Sequence, residues 1–291
     1  MILSNTFTRK KQKNEYGAPG LFFLCPFVLF VTPLFFGCST ASYTVSSYNV
    51  DFDRLPAGFD GFKIVIIADL HSHSFGKNQE KLTEGILELA PDIVVLAGDI
   101  IDRHDKDISN VRALLAGISG MFPVYAIAGN HEFENPVQFK ELLNAYREYG
   151  VIFLDGDTVT IKREEDLIAV SSQKLYPRQK GKYWIGSGTA PIFNNKFNIF
   201  LHHFGNEFDL ISDEYDLVIS GHGHGGLIRI FGKGLFSNKA FSLFPRYSKG
   251  VYRKESGSVM VMSAGLGNAA IPRINNPREL VMVILKAVEK P

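Results

Sequence analysis

Two histidines lie among four glycines in residues 218–230 (VISGHGHGGLIRI), between two apolar runs. Glycine is unfavourable in a strand because it loses backbone entropy and packs against nothing, so this repetition predicts a sharp turn or a close backbone approach. Imidazole nitrogens are the commonest protein ligands of metal ions. The segment therefore predicts a metal-binding loop at the end of a strand.

The same kinds of residue follow four other short apolar runs, each typical of a strand buried on both faces. The five runs are residues 63–68, 93–97, 124–128, 198–201 and 216–220, and the clusters after them are Asp69-Leu70-His71, Asp99 with Asp102, Asn130-His131-Glu132, His202-His203, and His222 with His224. The carboxyl ends of parallel strands meet at one edge of a sheet, where α/β proteins bind their ligands. A single histidine at a strand end is usually structural, but five such clusters predict one shared site.

The predicted metal ligands offer nitrogen and oxygen donors and no thiolate. They are Asp69, His71, Asp99, Asn130, His203, His222 and His224. Such a donor set suits Mn, Fe or Zn in a catalytic site. Because these ligands exceed what one ion needs, we expect two divalent metal ions, with Asp99 as the candidate carboxylate between ions about 3.5–4 Å apart.

The order of these motifs resembles that of the calcineurin-like metallophosphoesterases. The motifs are D-x-H at 69–71, G-D-x-x-D at 98–102, G-N-H-E at 129–132, a later histidine, and G-H-x-H at 221–224. Residues 221–230, 243–252 and 265–285 are similar to the C-terminal third of bacterial membrane-anchored members, and the resemblance extends over residues 45–288. It implies hydrolysis of a phosphate ester, with a phosphodiester favoured, by in-line attack of a metal-bridging hydroxide.

The resemblance also implies a role for each site residue. One ion would be held by Asp69, His71 and His224, the other by Asn130, His203 and His222, with Asp99 bridging. His131 would be the catalytic histidine that binds no metal, with Glu132 as the partner that orients it. The chain departs from the family pattern at Gly205, Gly223 and Leu227, where Pro, Thr and Gln are usual. Register favours His203 over its neighbouring histidine as the ligand.

Helical patterns separate the early strands, at residues 78–90, 109–118 and 137–149. This alternation predicts an α/β fold. Residues 158–173 predict a hairpin, and residues 258–263 and 280–285 predict two late strands. We therefore expect two packed mixed β-sheets flanked by helices, the four-layer sandwich of metallophosphoesterases, with more antiparallel pairing in the second half.

The N-terminal residues are first basic and then apolar. Residues 1–20 contain four basic residues and one acidic residue, and residues 21–37 (LFFLCPFVLFVTPLFFG) contain no charge. This order predicts that the N-terminus stays cytoplasmic and the body lies outside. The predicted parts are a basic N-terminus (1–20), a transmembrane anchor or signal segment (21–42) and a catalytic domain (43–291), in a single-pass protein of the cell membrane with an extracytoplasmic body. A signal peptide cleaved after Ser39-x-Ala41 and a lipoprotein signal at Cys38 are the alternatives.

The composition narrows the function classes. With the basic N-terminus set aside, the body is close to neutral, which argues against nucleic acid as a specific partner. Both cysteines, Cys25 and Cys38, precede the body, so it contains neither a thiol nor a disulfide. The expected partner is a phosphate-ester substrate from the cell envelope or linked to a lipid. A phosphomonoesterase and a metal-stabilised scaffold without activity are the alternative functions.

Three features are open to two interpretations. Asp102 either holds a ligand histidine or lies at the surface beside Arg103. Residues 174–190 mix basic and aromatic side chains and would hold a polyanionic or glycosyl substrate, or form a solvated loop. Residues 229–254 have a similar mixture and would lie on an anionic membrane surface, or form a packed loop with a charged outer face.

Overall fold

The predicted alternation of strands and helices is present in the computed structural model, which describes residues 42–179, 182–185, 193, 196–236, 243–269 and 271–289. The strands are β1 (Thr44–Phe52), β2 (Lys63–Ile67), β3 (Ile93–Ala97), β4 (Val124–Ile127), β5 (Ile152–Phe153), β6 (Thr158–Arg163), β7 (Asp166–Ser172), β8 (Leu175–Gln179), β9 (Lys182–Ile185), β10 (Phe197–Phe204), β11 (Leu217–Gly221), β12 (Arg229–Ile230), β13 (Lys233–Gly234), β14 (Gly250–Arg253), β15 (Val259–Met262) and β16 (Glu279–Ala287). The helices are α1 (Glu80–Leu89), α2 (Ser109–Ile118), α3 (Asn130–Glu134) and α4 (Pro136–Glu148).

The first sheet has the strand order β1-β16-β2-β3-β4-β5. Strands β2 to β5 are parallel, β16 is antiparallel to β2, and β1 is parallel to β16. The parallel strands are joined through helices on one side, as βαβ connections require. The loops that follow β2, β3 and β4 therefore lie side by side at one edge.

The second sheet has the order β14-β15-β11-β10-β7-β6. Its four central strands are parallel, and antiparallel pairing occurs only at the two edge strands, β14 and β6. The prediction of a more antiparallel second half therefore holds only for the edges. The predicted hairpin over residues 158–173 is the edge pair β6 and β7.

A shared apolar core lies between the two sheets. Residues such as Ile66 and Val95 from the first sheet belong to the same buried cluster as Ile199 and Ile219 from the second. Because each such side chain contributes on the order of 1.5–3 kcal/mol when it is fully buried, this contact fixes the two sheets against each other. Their site-forming edges are thereby held together.

Helices cover only the outer face of the first sheet in the described residues. The apolar faces of α1, α2 and α4 share one cluster with the outward residues of β2 and β3. The outer face of the second sheet is covered instead by a 3₁₀ segment, Gly205–Leu210, and by loop aromatic residues such as Tyr247. The predicted two-sheet α/β fold is confirmed, with its fourth layer built from this segment and loops.

Helix α4 shows how local sequence places an element. Asn135 precedes the helix, and its side-chain oxygen accepts a hydrogen bond from the N–H of Gln138 at 3.3 Å. Pro136 occupies the first helical position, where its missing N–H has no intrahelical partner to lose. Leu142 and Tyr146 lie one turn apart and are buried against the first sheet. Helix α4 therefore starts directly after α3, the short helix that carries Asn130 and His131.

The predicted N-terminal basic and apolar segments lie outside the described residues, apart from Ser42. Within the part of the chain that the structure describes, no helix combines the length and apolar character required to cross a bilayer. Of the predicted substrate-binding stretch 174–190, residues 180–181 and 186–190 also lie outside it.

Candidate metal centre

The predicted ligands lie at one edge of the two sheets. Asp69 and His71 follow β2, Asp99 follows β3, and Asn130 opens α3 after β4. From the second sheet come His222 and His224, just beyond the end of β11, and His203. His203 differs from the prediction because β10 continues through it to residue 204, with an irregular register after residue 201 that sets it against the first sheet.

One group of ligand atoms joins Asp69, His71 and His224. The Nε2 atoms of His71 and His224 lie 3.3 Å apart, with the two rings stacked at 17°. Asp69 Oδ1 is 3.8 Å from the Nε2 of His224. One atom from each of the three residues falls within 4.8 Å of the others, which is a separation that a single ion can span.

A second group joins Asp99, His203 and His222, again with one atom of each within 4.8 Å. Asp99 Oδ2 lies 3.1 Å from His203 Nε2, and Asp69 Oδ1 lies 3.9 Å from the same nitrogen. The other nitrogen of His203 is 2.8 Å from the carbonyl oxygen of Ala97, which directs Nε2 toward the carboxylates. The structure thus gathers two ligand groups that share a border.

The pKa shifts of His203 and Asp99 reflect a site with negative potential. Burial opposes the charged imidazolium of His203, but the Asp99 carboxylate outweighs it and raises the pKa of His203 to about 10. Burial likewise opposes ionisation of Asp99, but His203 holds the pKa of that carboxyl well below its usual range. A position that stabilises a buried cation to this degree also suits a metal ion.

The residues present fit two divalent ions. All donors are imidazole nitrogens or carboxylate and amide oxygens, the set that Mn, Fe and Zn accept. The side-chain oxygen of Asn130 is buried and has no hydrogen-bond partner within the described residues, which is a costly arrangement unless a ligand completes it. The Nε2 atoms of His71 and His224 face each other across a gap in which a ligated ion would satisfy both.

The backbone is strained at the ligands themselves. Five of the seven predicted ligands have left-handed backbone angles: Asp69 (φ 48°), His71 (47°), Asp99 (52°), His222 (69°) and His224 (42°). Such angles are uncommon for residues other than glycine, and they cluster at functional sites. The turns aim consecutive side chains at a common point that an extended strand could not supply.

Two glycines allow the close approaches that the loops require. Gly98 has φ 86°, and a Cβ atom there would lie 2.6 Å from His203 Nδ1. Gly225 has φ 64°, and its Cβ would lie 2.2 Å from the side-chain oxygen of Asn276. Both positions therefore exclude larger residues, which agrees with the close backbone approach predicted for the loop of His222 and His224.

Glu132 holds the loop of Asp99 and does not contact His131 through its side chain. Its buried carboxylate accepts hydrogen bonds from the backbone N–H groups of Asp99 (3.0 Å), Ile100 (2.7 Å) and Gly129 (2.7 Å). Burial, together with the nearby Asp99 carboxylate, raises the pKa of Glu132 in spite of these donors. The structure thus differs from the prediction that Glu132 orients His131, because backbone donors occupy both of its oxygens.

Asp102, and not Glu132, is the carboxylate that contacts the ring of His131 and can orient it. Its Oδ2 atom lies 3.1 Å from Nδ1 of His131 and 3.3 Å from Nδ1 of His71. An ionised carboxylate accepts protons and donates none, so it favours a ring proton on the Nδ1 of His71 that faces it and leaves the Nε2 of His71 free for a metal ion. Nδ1 of His131 faces this carboxylate and also the backbone N–H of Arg103 at 3.2 Å. The contacts with the two rings lower the pKa of Asp102 far below its usual range. Of its two interpretations, the structure supports the one in which Asp102 holds a ligand histidine.

Three further residues at the centre were not singled out from the sequence. Arg103 Nη2 is 2.7 Å from His131 Nε2, and its Nη1 pairs with Glu134 at 2.7 Å. Arg273 Nη2 lies 3.3 Å from His224 Nδ1, and Asn276 Nδ2 donates to the carbonyl oxygen of His224 at 2.7 Å. The only signal for Arg273 and Asn276 was their place within residues 265–285, which resemble the family without any metal-binding motif.

Several known proteins are similar to this chain over much of its length. YkuE of Bacillus subtilis (strain 168), named an uncharacterized metallophosphoesterase, is 29% identical over 258 residues, covering 83% of this chain and 85% of the relative. Phosphodiesterase YaeI of Escherichia coli (strain K12) is 25% identical over 176 residues, covering 58% of this chain and 63% of the relative. The crystal structure of a dimetal phosphatase from Danio rerio is similar with a TM-score of 0.42 and 13% identity, covering 71% of this chain and 88% of that one.

The family profile described as Calcineurin-like phosphoesterase matches residues 62–226. This segment contains all of the predicted metal ligands and His131, and it runs from the start of β2 to the loop that follows β11. Because the match spans more than half of the 291-residue chain, the protein belongs to the calcineurin-like phosphoesterase family.

Proposed function

We propose that the protein is a dinuclear-metal phosphodiesterase that is anchored in the cell membrane with its catalytic domain outside the cytoplasm. Phosphoester hydrolysis with bound metal ions follows from its family. The observation that carries the proposal is that two ligand groups adjoin, because Asp69 of one group and Asp99 of the other both face Nε2 of His203. His131 lies beside them, with its Nε2 4.0 Å from Asp99 Oδ2. Two divalent ions bound by these groups would supply Lewis-acid charge for the phosphoryl oxygens and a hydroxide for in-line attack.

The residues of this chain would bind and protonate the substrate. His131 Nδ1 is fixed by Asp102, so its Nε2 faces the centre. In the charged imidazolium, with a proton on both nitrogens, Nε2 would give the leaving oxygen its proton, and in the neutral ring it accepts from Arg103. Arg103 lies against that nitrogen and keeps its guanidinium directed inward through its ion pair with Glu134. It would contribute positive charge to a phosphoryl oxygen that reaches His131.

The preference for a diester is supported by the relative named Phosphodiesterase YaeI. The membrane anchor is supported by the apolar run at residues 21–37 after a basic segment, the order typical of a cytoplasmic N-terminus and a translocated body. The two parts of the proposal are independent, because the candidate metal ligands all lie within residues 69–224.

The decisive test is hydrolysis of an aryl phosphodiester and of the matching monoester by the full chain in detergent micelles. Mn, Zn or Fe is added after chelation, and bound metal is measured in the same samples. We expect metal-dependent turnover that favours the diester. Faster hydrolysis of the monoester would overturn the diester preference, and a folded chain that binds two ions without any turnover would favour the scaffold function.

The anchor is tested separately by fractionating cells that produce the full chain. We expect the protein in the membrane fraction, resistant to extraction at high salt, with the body open to protease added from outside. Release at high salt, or a body protected from that protease, would contradict the proposed location.

A further inference from the structure

Five apolar side chains are exposed on neighbouring loops at the edge of the metal centre. They are Ile230, Phe231, Leu243, Phe244 and Ile274, here called the rim patch, and their exposed fractions range from 42% for Ile230 to 100% for Phe231. Single exposed apolar residues are normal on soluble proteins. Several that lie together mark a surface that contacts something else.

Backbone hydrogen bonds hold the three segments of the rim patch side by side. The N–H of Arg229 donates to Ile274 O at 3.0 Å, which joins the β12–β13 hairpin to the loop before β16. The N–H of Leu235 donates to Ile228 O at 2.7 Å, and that of Phe244 donates to Leu235 O at 2.9 Å. The patch is therefore one continuous layer and not a set of unrelated loop tips.

The same layer is bonded to the metal-ligand loop. Asn276 Nδ2 donates to the carbonyl oxygens of His224 (2.7 Å) and Leu227 (3.1 Å), and the N–H of Phe236 donates to Gly226 O (3.1 Å). His224 is a predicted metal ligand, so only three residues of chain separate it from this layer at Ile228. A body that contacts the rim patch would thus border the entrance to the metal centre.

The charge of the segment selects the kind of partner. Residues 227–250 contain five basic residues and no acidic residue. Lys249 is paired with the buried carboxylate of Glu279, and Arg229 donates to Gly225 O, so these two are turned into the fold. Lys233 is exposed on the hairpin beside Phe231, and Arg246 is largely exposed although it pairs with Asp209. Exposed aromatic and aliphatic side chains flanked by basic residues are typical of surfaces that lie in the interface of an anionic bilayer.

The start of the body is close to this surface. The N–H of Thr44 donates to Arg278 O at 2.8 Å, so β1 begins beside the loop that carries Ile274.

We propose that the rim patch inserts into the interfacial region of an anionic lipid bilayer and brings the entrance of the metal centre to the lipid surface. A second copy of the chain is a poorer occupant, because a two-fold contact would place the same basic segments against each other. The bilayer complements both the apolar side chains and the positive charge. For the substrate, the inference rests on the proposed function: the phosphoester would be one that is linked to a lipid.

The test measures how deeply one residue of the rim patch enters a membrane. Phe231→Cys is introduced into the full chain with Cys25→Ser and Cys38→Ser, so a spin label attaches only at residue 231. Phe231 is fully exposed on a turn, so its replacement removes no packing. Met121→Cys is the matched control. Met121 is an exposed apolar residue just before the start of β4, and the metal-site residues follow the other end of that strand.

Each labelled chain is reconstituted into phosphatidylcholine vesicles with and without phosphatidylglycerol. We expect label 231 to collide with dissolved oxygen more often than with a water-soluble nickel complex, most strongly when phosphatidylglycerol is present. The label at 121 should show the reverse. A label at 231 that stays in water, or one that shows spin–spin broadening from a second copy, would overturn the proposal.

The same labelled chains are assayed with a soluble aryl phosphodiester, which separates this inference from the proposed function. Turnover together with a label in water would refute the rim patch alone, whereas an inserted label without turnover would refute the phosphodiesterase alone. Phe231→Ser with Phe244→Ser should then slow hydrolysis of a lipid-linked diester embedded in vesicles and leave the soluble diester unaffected. Equal rates on the embedded substrate would overturn the link to lipid substrates.

Discussion

The two sheets hold their shares of the metal centre by different means. In the first sheet, the ligand loops bond to one another: the N–H of Asp69 donates to Gly98 O and that of His71 donates to Asp99 O, both at 3.0 Å. The buried carboxylate of Glu132 then gathers backbone N–H groups from two of these loops. The first-sheet ligands therefore form one self-supporting unit.

The ligands of the second sheet depend on residues far away in the sequence. His203 is directed by the carbonyl oxygen of Ala97 in β3, and the N–H of His222 donates to the carboxylate of Asp69 at 3.0 Å. The carbonyl oxygen of His224 is held by Asn276. We infer that changes in the first-sheet unit affect several ligands together, whereas changes around the second-sheet ligands weaken one at a time.

The largest effect is expected for Asp99→Asn, which removes the charge shared by both halves. Asp99 Oδ2 is 3.1 Å from His203, and its other oxygen accepts the N–H of His131 at 2.8 Å. Metal occupancy and turnover should both fall to background in metal analysis and hydrolysis assays. Asp155→Asn, in a surface ion pair with Lys174, is the control. A fully metallated Asp99→Asn chain would contradict the central position of this carboxylate.

His131→Ala tests whether the proposed general acid can be removed from the first-sheet unit without disturbing its metal ligands. The ring is held by Asp102 and Arg103 but is not among the predicted ligands, so both ions should stay bound. Turnover should fall on the order of 10²–10⁴-fold, the usual contribution of a general acid. Activity close to that of the unchanged protein at full metal occupancy would remove the proposed role.

Glu132→Gln tests whether the first-sheet unit is self-supporting. In the variant the side-chain NH2 group faces the backbone N–H groups of Asp99 and Gly129, which now meet a carboxylate oxygen, and a buried donor left without an acceptor costs on the order of 1–3 kcal/mol. The free energy of unfolding, measured with urea in the presence of chelator, should fall by about 2–3 kcal/mol. Glu141→Gln, on the exposed side of α4, should leave it unchanged. An equal loss in both variants would argue against the unit.

The smallest effect is expected for Asn276→Ala in the support of the second-sheet ligands. Loss of its two hydrogen bonds frees the loop of His224, and loss of such supporting contacts typically weakens metal binding by about 10-fold or somewhat more. One ion should be affected and the other retained, as titration with Zn would show. Asn144→Ala on α4 is the control. An equal loss of affinity for both ions would contradict the inferred difference between the ligands of the first sheet and those of the second.

Much of the fold could be predicted because its central strands carry a strong signal. The strands at 93–97 and the helix at 109–118 match the predicted bounds, and the other central strands differ by a few residues. Strand β1 was missed because Thr44–Phe52 (TVSSYNVDF) is a half-exposed edge strand with few apolar residues. Its parallel pairing with β16, more than 230 residues away, leaves no local pattern.

The candidate site could be predicted in its residue types but not in all of its contacts. The predicted ligands come together because the strand ends do, which the sequence pattern already indicates. The partner of His131 could not be predicted, because Glu132 is adjacent in sequence while Asp102 is adjacent only in the folded structure. Asn276 reaches the site from a loop after β15, and no metal-binding motif marks it.

The left-handed backbone of the ligands also bears on evolution. Glycine adopts these angles without steric cost, whereas other residues lose on the order of 1 kcal/mol at each such position. A descendant that no longer used its metals would gain by mutating Asp69, His71 or His222 to glycine. In this chain the side chains at those three positions lower stability, and metal binding would offset that loss.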